Sequence, residues 1–376
     1  MNYLITFFFC GVLTSLLFPP FLITPLGFLI FPLLFFLLNN KNFKLLKYSF
    51  HFFSGTSYGL GFLCVYLGWI NEPFLLDIQT KIFSPLSYVL IIYCSIYFGF
   101  MFMGLKFFNN IFLKFLMLPT LIVLVEFLCS NIGYGFPWIS YSLVHSNNNM
   151  GMALIYYFGT YGLSYITIFI FLFPTLFLYK QFKLNKVLLG VYLICLICLI
   201  LATFSRLDND NYSQNQEIKI FMVQLNFPVN ITLDELKNTK RLDEIIKLTN
   251  QNQSDIIIFA ENNFPYIIKN QKDFQFLQKI IAPNKHLIIG STSKNNKNFF
   301  NSFFLINNKF VYQFNKKILV PFGEFIPLRN FFSFMEFVVG SNDYSVGKQK
   351  RKLQINNNIK ILPIICYEIL YFWSLI

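Results

Sequence analysis

The sequence predicts a multi-span α-helical membrane bundle followed by an α/β domain layered on a sheet. Long apolar segments succeed one another from the amino terminus to about residue 205, and beyond a polar stretch the pattern shifts to short apolar runs separated by helical and turn segments. With 55% hydrophobic and only 12% charged residues, and a mean hydropathy of +0.54, a wholly soluble protein is excluded. The lysines also fall in alternate loops of the first half, as they do in chains that cross a bilayer repeatedly.

The apolar segments run from Tyr3 to Leu17, Phe21 to Leu38, Phe52 to Ile70, Ser87 to Leu105, Ile111 to Ser130, Met150 to Tyr179 and Val187 to Phe204. Most reach the ~20 residues that a crossing needs. The first two are shorter, and Pro19-Pro20 between them reads as a tight turn, so a re-entrant pair is the alternative to two full spans. The charges favour seven spans. Lys41, Lys44 and Lys47 follow the second segment, Lys106 and Lys114 flank the loop after the fourth, and Lys180, Lys183 and Lys186 follow the sixth. The positive-inside rule then puts the amino terminus in the cytoplasm and everything after Phe204 across the membrane. Met1-Asn2 offers no basic region, which argues against a cleaved signal peptide. The net charge of +13 therefore reports topology rather than a nucleic-acid partner.

Within the spans Glu126 stands out, because an ionisable group there is costly and by default suggests a function. The loop Ser130 to Asn149 carries Gly133-Tyr134-Gly135-Phe136-Pro137-Trp138, readable as interfacial anchors or as a substrate contact. His51 and His145 have no metal-ligand spacing, and no metal or cofactor is expected.

The organisation expected is a bundle over 1–205, a linker over 206–216 and a catalytic domain over 217–376. Strands are expected at Ile218 to Leu225, Asp255 to Ala260, Leu287 to Ser291, Ser302 to Ile306, Phe310 to Phe314 and Ile359 to Ile365, with an amphipathic helix over Leu233 to Leu248. Pro363 sits awkwardly in the last strand, since proline keeps to edges, starts and bulges.

Three chemically capable residues each follow one of these strands: Glu261, Lys316 and Cys366. A carboxylate, an ammonium and a thiol suffice for acyl transfer. A base must take the thiol proton, which Glu261 could do, and donors must meet the oxyanion, which Lys316 and the backbone N–H after Cys366 could supply. Each has a plainer reading. Glu261 could cap a strand, Lys316 could belong to a basic edge with Lys317, and Cys366 could close a core strand as a small apolar residue. Of the seven cysteines, Cys366 alone lies outside the apolar segments and so has no disulfide partner there. His286, the one histidine of this half, leads into a strand and lacks support as a dyad partner.

FAENNFP, NKKILVPFGEFIP, GSNDYSVG and IICYEI, in this order after a multi-span region, resemble the apolipoprotein N-acyltransferase family, a membrane branch of the nitrilase superfamily. FPPF at Phe18 to Phe21, GFPW at Gly135 to Trp138 and GTYGLS at Gly159 to Ser164 extend the likeness towards the amino terminus. The resemblance implies a nitrilase-like αββα sandwich, with Glu261 as base, Lys316 rather than Lys317 as the site lysine, Cys366 as the acylated nucleophile, and Glu324, Tyr367 and Glu368 in support. It further implies a phospholipid acyl donor, a diacylglyceryl-cysteine lipoprotein acceptor, and a catalytic domain on the periplasmic side of the bacterial inner membrane. Two departures qualify it. Leu225 and Leu233 stand where the family carries a glycine and a tryptophan, and the family continues past the cysteine with further sheet and a last span, so the domain is expected to be incomplete at its carboxyl end. The rival readings are a membrane-anchored nitrilase-like hydrolase that passes the thioester to water, and a non-catalytic fragment.

Overall fold

The structure is a computed structural model and describes residues 2–75, 78–147, 149–179, 186–208, 218–226, 235–283, 285–336, 340–355 and 359–371. The chain divides into two compact units, Met1–Ser213 and Gln214–Ile376.

The first unit is a bundle of apolar helices: α1 (Tyr3–Ser15), α2 (Gly27–Asn39), α3 (Tyr48–Tyr66), α4 (Ser87–Leu105), α5 (Ile111–Asn131), α6 (Asn149–Phe171) and α7 (Lys186–Asp208). Four helical stretches, Ser84–Leu105, Ile111–Asn131, Ala153–Leu178 and Val187–Ser205, are long and apolar enough to cross a membrane, and the protein is a membrane protein. Helices α1 and α2 have 13 residues each, about 20 Å at 1.5 Å per residue, short of the ~30 Å hydrocarbon core. The bundle is held by interlocking aromatic rings, among them Phe7, Phe18, Phe62 and Phe102, all fully buried. Where one continuous span was expected over Met150 to Tyr179, α6 is broken at Gly159, whose φ of 64° is left-handed; glycine adopts that conformation without a Cβ clash.

Glu126 is fully buried near the end of α5, and its Oε1 accepts the backbone N–H of Tyr141 at 2.7 Å. It thereby ties α5 to the turn Tyr141–His145. Trp138 of the neighbouring loop packs against Trp69 with ring centroids 4.8 Å apart and planes tilted by 47°, and its carbonyl accepts from Tyr66 at 3.0 Å. Helix α7 continues to Asp208 where a linker was expected to begin at Arg206, because neither glycine nor proline follows Gly190 within it. The rest of that linker, and likewise Lys180, Lys183 and Leu233, lie outside the described residues.

The second unit is built on one five-stranded sheet: β1 (Ile220–Val223), β2 (Ile256–Phe259), β3 (His286–Asn295), β4 (Asn298–Ile306) and β5 (Val311–Asn315), in spatial order. The first three are parallel and the last two antiparallel to their neighbours. Alternating residues separate its two faces. Leu287, Ile289, Phe304 and Ile306 form a core with Ile245 of helix α8 (Glu235–Gln251) and Leu277 of helix α9 (Gln275–Ile280). On the opposite face Ile256, Ile288 and Leu305 pack with Leu353, which opens the two-stranded ribbon β6 (Leu353–Gln354) and β7 (Lys360–Ile361). Leu225 is buried in the helix-side core.

One expectation is corrected here. The run before Cys366 is a strand only at Lys360–Ile361; residues 362–365 are irregular, and Cys366 begins a short 3₁₀ turn, Cys366–Leu370. Pro363 has no N–H to give to a ladder, and its carbonyl is taken by Arg351 at 3.1 Å.

Candidate active site

Glu261 lies in the turn that leaves β2, with Asn262 after it at a φ of 53°. This turn lies directly against β3 because position 290 is glycine: a Cβ there would come within 2.8 Å of both Glu261 Cα and Asn262 N. Lys316 immediately follows β5 and is 1% exposed. Its Nζ donates to Glu324 Oε1 at 2.9 Å and stands 3.8 Å from Glu261 Oε1.

The VPFGE stretch explains itself geometrically. It folds into a tight loop in which Glu324 N–H donates to the Val320 carbonyl at 2.9 Å, while Glu324 Oε2 accepts the Val320 N–H at 2.8 Å. The loop returns Glu324 to the lysine from which the chain departed. The GSNDYSVG segment then braces it: Tyr344 N–H donates to the Glu324 carbonyl, and Gly347 N–H to the Lys316 carbonyl, each at 2.8 Å. Only glycine fits at 347, where a Cβ would lie 2.0 Å from the Asn315 carbonyl oxygen.

Asn301, in β4, joins the two carboxylates. Its Nδ2 donates to Glu261 Oε1 at 2.6 Å and to Glu324 Oε1 at 2.7 Å. The sequence reading passed over Asn301, since an asparagine inside a strand has no motif of its own. In the structure it is 3% exposed, beside Lys316, whose N–H donates to the Asn301 carbonyl just past the end of β5.

Cys366 is exposed and has a φ of 49°, a strained conformation for a residue with a Cβ. Burial of the sulfur, then the negative charge of Glu261, push its thiol above the usual range, while Lys316 and the Tyr367 backbone N–H act the other way. Glu261 and Lys316 thus both act on the thiol, in opposite directions.

Glu368 locks the two halves of this arrangement. Fully buried, it accepts from the backbone N–H groups of Lys317 (2.7 Å) and Ile318 (3.1 Å) through Oε1, and from that of Ile365 (2.9 Å) through Oε2. One side chain therefore grips the residues just after Lys316 and just before Cys366. Arg351 completes the clamp, with its guanidinium nitrogens 2.6 and 2.9 Å from the two carboxylate oxygens and its plane over the Phe314 ring. Burial works against the charge on Glu368, but Arg351 and the three backbone donors hold the carboxyl below its ordinary range. Arg351 too was missed, because it stands in a basic run, QKRK, that reads as a solvated edge. Tyr367 is half-buried and its hydroxyl accepts from Tyr371 at 3.0 Å.

The comparisons with known proteins agree with these motifs. Residues 10–173 match the family profile described as the apolipoprotein N-acyltransferase N-terminal domain. The chain is similar to the apolipoprotein N-acyltransferases. It is 29% identical over 259 residues to the apolipoprotein N-acyltransferase of Rickettsia prowazekii, covering 66% of this chain and 52% of that protein. To that of Wigglesworthia glossinidia brevipalpis it is 28% identical, covering 97% and 74%, and to that of Brucella suis 23%, covering 97% and 73%. The chain spans about half the length of the Rickettsia relatives it matches. Within the family frame, the bundle followed by a mixed-sheet, nitrilase-like domain is the expected architecture.

Proposed function

We propose that the protein is a thioester-forming N-acyltransferase that moves an acyl chain from a phospholipid to the terminal amine of a diacylglyceryl-cysteine lipoprotein. The observation that carries the proposal is the convergence of Glu261, Asn301, Glu324 and Lys316, with Cys366 electrically coupled to Glu261 and Lys316. The relatives' name, apolipoprotein N-acyltransferase, supports N-acyl transfer to an apolipoprotein, and the phospholipid donor and diacylglyceryl-cysteine acceptor rest on the motif resemblance.

In the first half-reaction Glu261 takes the Cys366 proton as Sγ attacks the ester carbonyl. The oxyanion is met by the Lys316 ammonium and the Tyr367 N–H. As the C–O bond breaks, the proton passes from Glu261 to the departing lysophospholipid oxygen, leaving the acyl group on sulfur. In the second half-reaction the lipoprotein amine attacks the thioester, Glu261 receives an amine proton, the C–S bond breaks, and the thiol recovers its proton. Glu324 and Asn301 hold Lys316 and Glu261 in place throughout. Two lipid substrates account for the union of this site with a membrane bundle, and the lysine distribution supports a catalytic unit on the side opposite the lysine-rich loops, the periplasmic side if the membrane is the bacterial inner one.

Supplied with phospholipid, the protein should carry an acyl thioester on Cys366 detectable by mass spectrometry. Lys316→Met should prevent its formation while Lys317→Met is tolerated. An adduct on a cysteine of the spans, or the reverse pattern of the two lysines, would overturn the assignment.

A further inference from the structure

At one end of the bundle, far along α5 from Glu126, five helical elements enclose a pocket of about 160 Å³. That is roughly ten times the ~15 Å³ needed to hold one water. Its polar lining comes from Asn39 at the end of α2, Lys44 of the single-turn helix Lys41–Lys44, His51 of α3, Lys106 just past α4, and Lys114 in the first turn of α5. None of the lining residues is acidic. Glu126, on the same helix as Lys114, is twelve residues further on, about 18 Å along the axis.

Lys114 is the unusual member. It is 6% exposed, and among the described residues its ammonium has neither a hydrogen bond nor an ion pair. Lys44 likewise has no side-chain partner among them, while Lys106 donates to the Leu46 carbonyl and lies over the Tyr48 ring at 4.7 Å. A buried cation without a counter-charge costs several kcal/mol, and neighbouring cations add to that cost. A single lysine could escape by losing its proton, but that remedy does not account for three lysines gathered around one cavity. Asn39 Oδ1, buried and without a donor among the described residues, also faces this region.

We propose that the pocket binds the phosphate of an anionic phospholipid headgroup. Its polar groups come from helix ends and, with Asn109, from the loop between α4 and α5, the level at which headgroups lie, while Phe35, Leu38, Phe102 and Leu118 make the rest of the lining apolar. Next in the chain to the lining residues Lys44 and Lys106, Leu45 and Phe107 are 85% and 66% exposed, apolar surface that acyl chains would cover better than water. Basic pockets between membrane helices suit such headgroups. This site is separate from the acyl-transfer chemistry and would hold a lipid of the lysine-rich, cytoplasmic leaflet.

The test is a titration of the purified full chain in lipid-free detergent with phosphatidylglycerol, read by native mass spectrometry and by the midpoint of thermal unfolding. Phosphatidylglycerol should bind and raise the midpoint more than phosphatidylcholine does. Lys114→Met should weaken binding by about fivefold or more, and Lys44→Met, at a half-buried position that tolerates change, should weaken it as well. Lys41→Met, exposed and outside the pocket, should leave it intact. Without lipid, Lys114→Met should unfold at a higher temperature than the unaltered chain, because it removes an unpaired buried charge. Equal phosphatidylglycerol binding by the unaltered chain and both pocket variants would overturn the proposal, as would inorganic phosphate at the same concentration stabilising the chain as strongly as the lipid.

Discussion

Glu261 and Glu368 are two carboxylates of one domain held in opposite ways. Glu368 is fully buried and saturated by Arg351 and three backbone N–H groups. Glu261 has a side chain 34% exposed, one hydrogen bond from Asn301, and a lysine at 3.8 Å. An ionised carboxylate offers about four acceptor sites; Glu368 has filled them, whereas Glu261, among the described residues, accepts one N–H, from Asn301, and so keeps capacity for a proton. The difference teaches which carboxylate can exchange a proton with a substrate and which can only hold structure. A group that gives and takes protons cannot also be the clamp that sets the distance between Lys316 and Cys366.

The largest effect should come from removing the available carboxylate. Glu261→Gln preserves shape and the amide contact but not basicity, and acyl transfer should fall by about 10²–10⁴-fold, measured as lipoprotein N-acylation in isolated membranes. Folding should be little affected, because so few contacts depend on the charge. Breaking the clamp should do the reverse. Arg351→Ala leaves Glu368 charged and buried without its partner, a loss of about 3–5 kcal/mol. Limited proteolysis should then cut the region after residue 214 much faster than in the unaltered chain, whereas Arg351→Ala combined with Glu368→Gln, which leaves no buried charge and keeps a side-chain oxygen for the backbone donors, should cost less than Arg351→Ala alone. If the single and double replacements behaved alike, the clamp would not be the organising contact described above.

The same contrast decides what the sequence could and could not disclose. Glu261, Lys316 and Cys366 were legible because each follows an apolar run, and the first two indeed leave strands β2 and β5. The β1 to β5 sheet was legible for the same reason. The third apolar run misled, since Ile359 to Ile365 has the composition of a strand but Pro363 and the Arg351 contact leave only Lys360–Ile361 paired. Asn301 and Arg351 were not legible at all. Their work depends on partners 23 and 17 residues away in the chain, and no local period or motif encodes such a pairing. In the bundle, the break at Gly159 was hidden inside an unbroken apolar stretch, because hydropathy responds to side chains and not to φ.

A smaller effect should appear in acid. The folded-state pKa of Glu368 lies below its ordinary value, which is ~4.3 in an unfolded chain. Its contribution to stability is therefore complete above that unfolded value and is lost as pH falls through the folded one. Proteolytic resistance of the second unit should decline below about pH 4, and Glu368→Gln should flatten this decline while starting from a lower resistance. A decline of equal steepness in the variant would mean that other carboxylates govern it.

The smallest change, and the most discriminating, concerns the thiol itself. Burial and the charge of Glu261 raise the Cys366 pKa, and Lys316 opposes them. The two neighbours should therefore shift alkylation by iodoacetamide in opposite directions. Glu261→Gln removes the repelling charge, so the thiolate fraction at neutral pH should rise and Cys366 should alkylate faster, although the same variant has lost acyl transfer. Lys316→Met removes the attracting charge, so alkylation should slow and its pH profile should move upward. Each pKa unit changes the thiolate fraction about tenfold in the range where the thiol is mostly protonated, and the rate follows that fraction only in part, since a more acidic thiol gives a weaker nucleophile. Shifts of the same sign in both variants would point to a structural disturbance around Cys366 instead of a charge effect. Shifts of opposite sign, with activity lost in both, would separate the electrostatic work of the pair from its work in catalysis.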